Sequence, residues 1–358
     1  MTRTNGSHKV IDLVSVSLIS TIILTGTFIA ILGKCMFQVK SINLDNEPDT
    51  LKDPIYLVLL VGLGLSLCVV DYAIFFFVFF FTFNWESISL ISFSSLMRIV
   101  TSAFFEFLES IFVFTGLIFL SPSVYASLKI LRLVNFSFVS EYLNIKVYQF
   151  MWHGIFWMIF GVTIIGITAC IRSFFSNTNS FISTIASILL VIIGGLIDTS
   201  GQVTSAQCLK KNTNLEPNVF LGIGGYFIIL FSILAYPIVY SIRGDDFDCL
   251  INFNNTFHLI MNSLPLILMS TVFTVLTYAY SLLSIYLICK VGPIWSSVTA
   301  GYTIIVIWIT QIALNFLSDG NYGDVLSYAS IFEFIGILLL VYGVAIYTAP
   351  TPLSIMVT

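Results

Sequence analysis

The chain has 358 residues, of which 58% are hydrophobic, 15% aromatic and only 9% charged, with a net charge of -4. Soluble domains carry about 25% charged residues to wet their surface, and a pI near 5.3 offers no basic footprint for nucleic acid. With a mean hydropathy of +1.02, the composition excludes a soluble enzyme, a nucleic-acid binder and a disordered scaffold, and predicts an all-α polytopic membrane protein.

A helix needs roughly 20 apolar residues to cross the hydrocarbon core. Ten runs of that kind are predicted, at 11–37, 54–83, 99–120, 121–143, 149–171, 182–204, 218–242, 263–287, 291–317 and 328–348. The third and fourth are separated only by Ser121-Pro122-Ser123, which predicts a tight hairpin. The other connections are too short for a separate soluble domain, so residues 1–358 are read as one membrane domain. Glycines recur inside the runs, among them Gly161, Gly166, Gly336 and Gly343, as close helix packing favours. Pro237 and Pro265 are read as kink points in the seventh and eighth runs.

Short-loop Lys and Arg set orientation. With the N-terminus in the cytosol, that side collects Arg3, Lys9, Arg98, Lys146, Lys210, Lys211 and Lys290, against Lys40, Lys52, Arg172 and Arg243 opposite. The even number of runs then puts both termini in the cytosol. Asp45, Asp53, Asp245, Asp246, Asp248 and Asp324 fall on the far side, as does the sequon at Asn254, a candidate lumenal glycosylation site. The cysteines are scattered singly and the three histidines lie far apart, so neither a metal site nor a disulfide framework is indicated, and no cofactor is expected.

Ionisable residues inside a membrane are costly, at about 2.5 to 3.5 kcal/mol each on insertion scales, and so mark function by default. The candidates are Asp71, Glu106, Glu109, Lys129, Arg132, Asp198 and Glu333. Glu106 and Glu109 share a face of the third run, and Lys129 and Arg132 repeat that spacing on the fourth. Counted from the hinge, Glu109 and Arg132 differ in depth by about 4.5 Å at 1.5 Å per residue. One reading makes them a structural pair that locks the hairpin. The other puts Lys129 or Arg132 in a polar cavity as a substrate-binding cation, with Glu106 as a carboxylate that couples transport to protons. Asp198 and Gln202 sit one turn apart, near the expected cytosolic end of the sixth run, where long side chains reach water cheaply. Asp71 and Glu333 are read as interfacial or helix-packing residues.

Ten crossings with a tight hairpin between the third and fourth suggest two inverted five-helix repeats, about 11–171 and 182–348, because five crossings reverse direction. Four stretches then carry a family resemblance: Thr25-Gly26-Thr27; the block from Glu106 through the Ser-rich hinge to Lys129; Gln202 followed by Pro217 and Gly222-x-x-Gly225; and Gly336, Gly343 and Tyr347. Together they resemble the drug/metabolite transporter superfamily, and within it solute carrier family 35, subfamily F, whose relatives include the chloroquine-resistance-transporter-like proteins. The family's acidic residue in the third helix corresponds to Glu106. Ala126 and Lys129 stand where the family has Gln and Arg, and Gly224 stands where it has an acidic residue.

The resemblance implies a small organic metabolite as substrate, nucleotide-sugar-like, amino-acid-like or an amine, and an endomembrane location such as Golgi, lysosome or vacuole. No GxxxxGK[ST] loop is present to drive transport with ATP, so the expectation is a secondary transporter rather than an enzyme, alone or as a homodimer. The alternative is a membrane receptor or scaffold that moves nothing.

Overall fold

A computed structural model of the chain describes residues 13–43, 47–80, 93–139, 148–175, 180–211, 215–241, 253–290, 293–320, 322–324 and 327–348. Arg3, Lys9, Asp45, Lys146, Arg243, Asp245, Asp246 and Asp248, used above for orientation, lie outside them.

In chain order the elements are α1 (Leu13–Gln38), β1 (Lys40–Ile42), β2 (Pro48–Thr50), α2 (Pro54–Phe80), α3 (Phe93–Phe119), α4 (Pro122–Lys129), α5 (Leu131–Phe138), α6 (Gln149–Phe175), α7 (Ser180–Lys211), α8 (Pro217–Ser241), α9 (Phe253–Met261), α10 (Leu264–Lys290), α11 (Pro293–Leu317) and α12 (Tyr328–Thr348). Among the described residues nine helices are long and apolar enough to cross a membrane: α1, α2, α3, α6, α7, α8, α10, α11 and α12. The chain is a helical, multi-pass membrane protein.

The sequence marks several helix starts. Proline opens α2, α4, α8 and α11, the position where its missing N–H costs nothing. Ser121 caps α4, accepting from Val124 N. Asp53 caps α2 through Ile55 N at 2.9 Å and Tyr56 N at 3.3 Å. Pro265 is the second residue of α10, not an internal kink, whereas Pro237 does lie inside α8.

The fourth apolar run, expected as one crossing over 121–143, is two eight-residue helices meeting at Ile130. There Ile130 N turns to Ser127 O, and Leu133 N to Ile130 O, so the ladder tightens into three-residue steps at the joint. Two of the connections carry structure of their own. β1 and β2 pair antiparallel, with Ser41 opposite Asp49, and α9 precedes α10.

Helices pack in a regular scheme: α6 lies along α12, α3 along α7, and α2 along α8. α10 packs on α1 and α2, and α11 packs on α1, α4 and α5. The α6–α12 seam is built on glycine. A Cβ on Gly161 would lie 2.6 Å from the carbonyl oxygen of Gly336, and one on Gly154 would lie 2.7 Å from that of Gly343. Neither fits, so the two backbones touch where hydrogen alone stands. Polar groups tie down one end of the bundle. Asp53, 1% exposed, accepts from Tyr236 Oη at 2.9 Å and Thr256 Oγ1 at 3.1 Å, joining α2, α8 and α9.

Candidate functional site

On α3, Glu106, Glu109, Ser110 and Val113 follow the three-and-four spacing of one helix face, and that face looks into the bundle. Opposite stand Tyr125 and Lys129 of α4, Arg132 of α5, Asp198 and Gln202 of α7, Tyr280 and Ser281 of α10, and Thr299 and Thr303 of α11. Together they wall a cavity of two lobes, each about 160 Å³. Glu106, Glu109, Lys129, Arg132, Tyr280 and Ser281 belong to both lobes. All five residues singled out as substrate or coupling groups, Glu106, Lys129, Arg132, Asp198 and Gln202, therefore line one site.

The expected Glu109–Arg132 pair is not formed. Lys129 Nζ lies 2.8 Å from Glu109 Oε1, and Arg132 Nη1 lies 2.8 Å from Asp198 Oδ2. Only in one straight helix over 121–143 would Arg132 come within reach of Glu109 in depth. With the break at Ile130, Lys129 closes the hairpin instead, and Arg132 turns to α7. Asp198 is likewise not at a helix end: α7 continues to Lys211, so Asp198 is held among buried partners rather than reaching for water.

Further hydrogen bonds fix this pairing. Arg132, 4% exposed, also donates from Nη2 to the Ser296 carbonyl at 2.9 Å. Gln202 Nε2 donates to Asp198 Oδ1 at 3.0 Å. Lys129 Nζ stands 5.6 Å from the centre of the Tyr125 ring, within cation–π range. Among the described residues, three buried wall atoms have no protein hydrogen-bond partner: Arg132 Nε, Gln202 Oε1 and Ser284 Oγ. Glu106 lines both lobes and, among the described residues, takes part in neither ion pair. Chemically the wall is a set of fixed charges and hydroxyls in an apolar bundle. It can orient and neutralise a polar guest.

Asp71 and Glu333 lie elsewhere. Asp71 accepts from Tyr278 Oη at 2.9 Å. Glu333, 2% exposed, accepts from Ser123 Oγ at 2.5 Å and pairs with Arg172 at 3.5 Å, while Arg172 also lies 3.7 Å from Asp324. This second cluster borders a cavity of about 320 Å³ that Lys34 also lines. Lys34 donates to the Leu117 and Ile118 carbonyls at the end of α3, at 3.0 and 2.8 Å. Asn254 is exposed on α9, whereas Thr256 of the same sequon is buried against Asp53.

Reading by charge missed the neutral half of the wall. Thr277, Tyr280, Thr299 and Thr303 are unremarkable inside apolar runs. A signal does exist in the numbering: adding 171 takes Pro122, which opens α4, to Pro293, which opens α11. The same step takes Glu106 to Thr277, Glu109 to Tyr280, Lys129 to Ala300 and Arg132 to Thr303, and all eight line the first lobe. Compared with known proteins, the chain matches no protein-family model and no curated protein.

Proposed function

We propose that the chain is a secondary transporter that carries a small organic metabolite by alternating access, with the cavity between its two halves as the cargo site. The observation that carries this reading is the central cavity itself. Three carboxylates and two cations face it inside an apolar bundle, although each intramembrane charge costs about 2.5 to 3.5 kcal/mol. A scaffold or receptor that moves nothing has no need of charges directed inward. Polar groups directed at a partner or at lipid headgroups would serve it instead.

Ten crossings in two inverted repeats, about 11–171 and 182–348, fit the same reading, with α4 and α5 together as the fourth crossing. The supporting pattern is the packing scheme. α6 with α12, α2 with α8, and α4–α5 with α11 each join repeat mates. α3 on α7 is matched by α10 on α1, and α2 on α10 by α8 on α3. Gly154 and Gly161 have the same seven-residue spacing as Gly336 and Gly343, and they meet in reverse order, as an inverted two-fold relation requires. The Arg172 cluster ties the first half to the second at one end, a seam that alternating access would open and close.

In this reading both termini are cytosolic, the membrane is an endomembrane, and the relatives are solute carriers of family 35, subfamily F. Glu106 is the coupling carboxylate: among the described residues it has no ion pair to break when a proton comes and goes. Counterflow in proteoliposomes, preloaded in turn with nucleotide sugars, amino acids and amines, tests the proposal. The expected result is exchange of at least one class, lost in Arg132→Gln. Absence of exchange for every class, with folded protein, contradicts it.

A further inference from the structure

The cavity carries an imbalance that points to the kind of cargo it takes. Glu109 is matched by Lys129 and Asp198 by Arg132, both at 2.8 Å. Glu106 is left over on a wall shared by both lobes. With these groups charged, the wall holds one net negative charge. An anion entering here would add to that excess or would have to pull Lys129 or Arg132 from its carboxylate, and an ion pair broken in a buried setting is costly to lose. A cation meets a carboxylate that, among the described residues, forms no ion pair.

Two independent features refine the choice. The second lobe, which Glu106 also lines, contains two buried oxygens with no hydrogen-bond partner among the described residues, Gln202 Oε1 and Ser284 Oγ. An ammonium that carries N–H groups satisfies such atoms, and one fully alkylated does not. The repeat mates of the charged residues form the other side of the first lobe, where Thr277, Tyr280, Ala300 and Thr303 replace Glu106, Glu109, Lys129 and Arg132. One half of the cavity is thus charged and the other neutral, with hydroxyls and a ring. The two lobes, about 160 Å³ each, together sit at the small end of the range of ligand pockets, about 300 to 1,000 Å³.

We infer that the cargo is a small protonated amine, its ammonium held by Glu106 and its uncharged body against the α10–α11 wall. The inference rests on the reading of this cavity as the cargo site. Tyr125, with Lys129 5.6 Å from its ring centre, shows an aromatic face of this wall already accommodating a cation. Arg132 Nε, unpaired among the described residues and in a residue 4% exposed, offers a donor to a hydroxyl or carbonyl on that body.

The test is direct binding to the purified full-length protein by calorimetry at one neutral pH, so that it does not depend on transport. Four probes are used: tyramine, its N,N,N-trimethyl derivative, tyrosine and uridine monophosphate. Tyramine is expected to bind about tenfold or more tightly than tyrosine or the nucleotide, with the trimethyl derivative weaker than tyramine. Glu106→Gln should weaken tyramine about tenfold or more, because a hydrogen bond to a charged group is lost, and Glu106→Asp should keep most of the affinity. Preference for the nucleotide or for tyrosine overturns the inference, as does unchanged tyramine affinity in Glu106→Gln. If Glu106→Gln fails to fold, the ranking of probes on the parent protein decides. Amine binding without counterflow would support the cargo class and contradict transport; counterflow of nucleotide sugars alone would do the reverse.

Discussion

Arg132 and Asp198 are the buried pair on which the wall's charge balance turns. Removing one partner leaves the other uncompensated in the bundle, a loss of about 3 to 5 kcal/mol. Arg132→Met and Asp198→Asn are each expected to lower the yield and thermal stability of detergent-solubilised protein. The double variant should lose clearly less than the sum of the two, with a coupling of about 0.5 to 3 kcal/mol. The cycle between Arg132 and Glu109 should show markedly less coupling. Equal coupling in both cycles would contradict the observed pairing. All of these charged residues could be found in the sequence, because charges stand out in apolar runs. Their partners could not, because Asp198 comes from a helix 66 residues away along the chain and nothing in the sequence announces the break at Ile130. The same limit hid Asp53. Read as one more loop carboxylate, it is a buried junction that caps α2 and binds Tyr236 and Thr256.

At the scale of helices, the α6–α12 seam gives a contrast within one element. Gly161 touches the Gly336 backbone, whereas a Cβ on Gly166 would meet nothing within 4 Å. Gly161→Leu must therefore push the two helices apart, and overpacking of this kind costs about 1 to 3 kcal/mol or more. Gly166→Ala should be nearly neutral. Thermal unfolding of the two variants in the same detergent checks this: a large drop for Gly161→Leu and little change for Gly166→Ala are expected. Equal drops would mean that the seam is not the close contact described. The glycines were visible in the sequence as a class, and their apolar runs set most helix limits closely. Which glycines matter was not visible, since only the crossing geometry separates Gly161 from Gly166. The joint between α4 and α5 escaped notice for a related reason: an apolar run specifies burial in lipid and is silent about a local tightening of the backbone.

For the molecule as a whole, the apolar composition and the runs were enough to establish a multi-pass helical membrane protein. The paired arrangement of helices around one charged cavity needed the structure. Its logic is physical: charges are tolerated in such a bundle only where they meet one another or a polar guest. The Arg172 cluster and the charged cavity share no residue, and in the proposed function the cavity lies between two halves of the chain. If the halves rock about that cavity, its wall must be reachable from each face of the membrane in turn. The most direct measurement is side-specific labelling of Thr303→Cys, in a variant otherwise free of cysteine, with a charged, membrane-impermeant thiol reagent applied to sealed vesicles of either orientation. The account predicts that Thr303→Cys reacts from both faces. Reaction from one face only under every condition, or from neither face in folded protein, would contradict it.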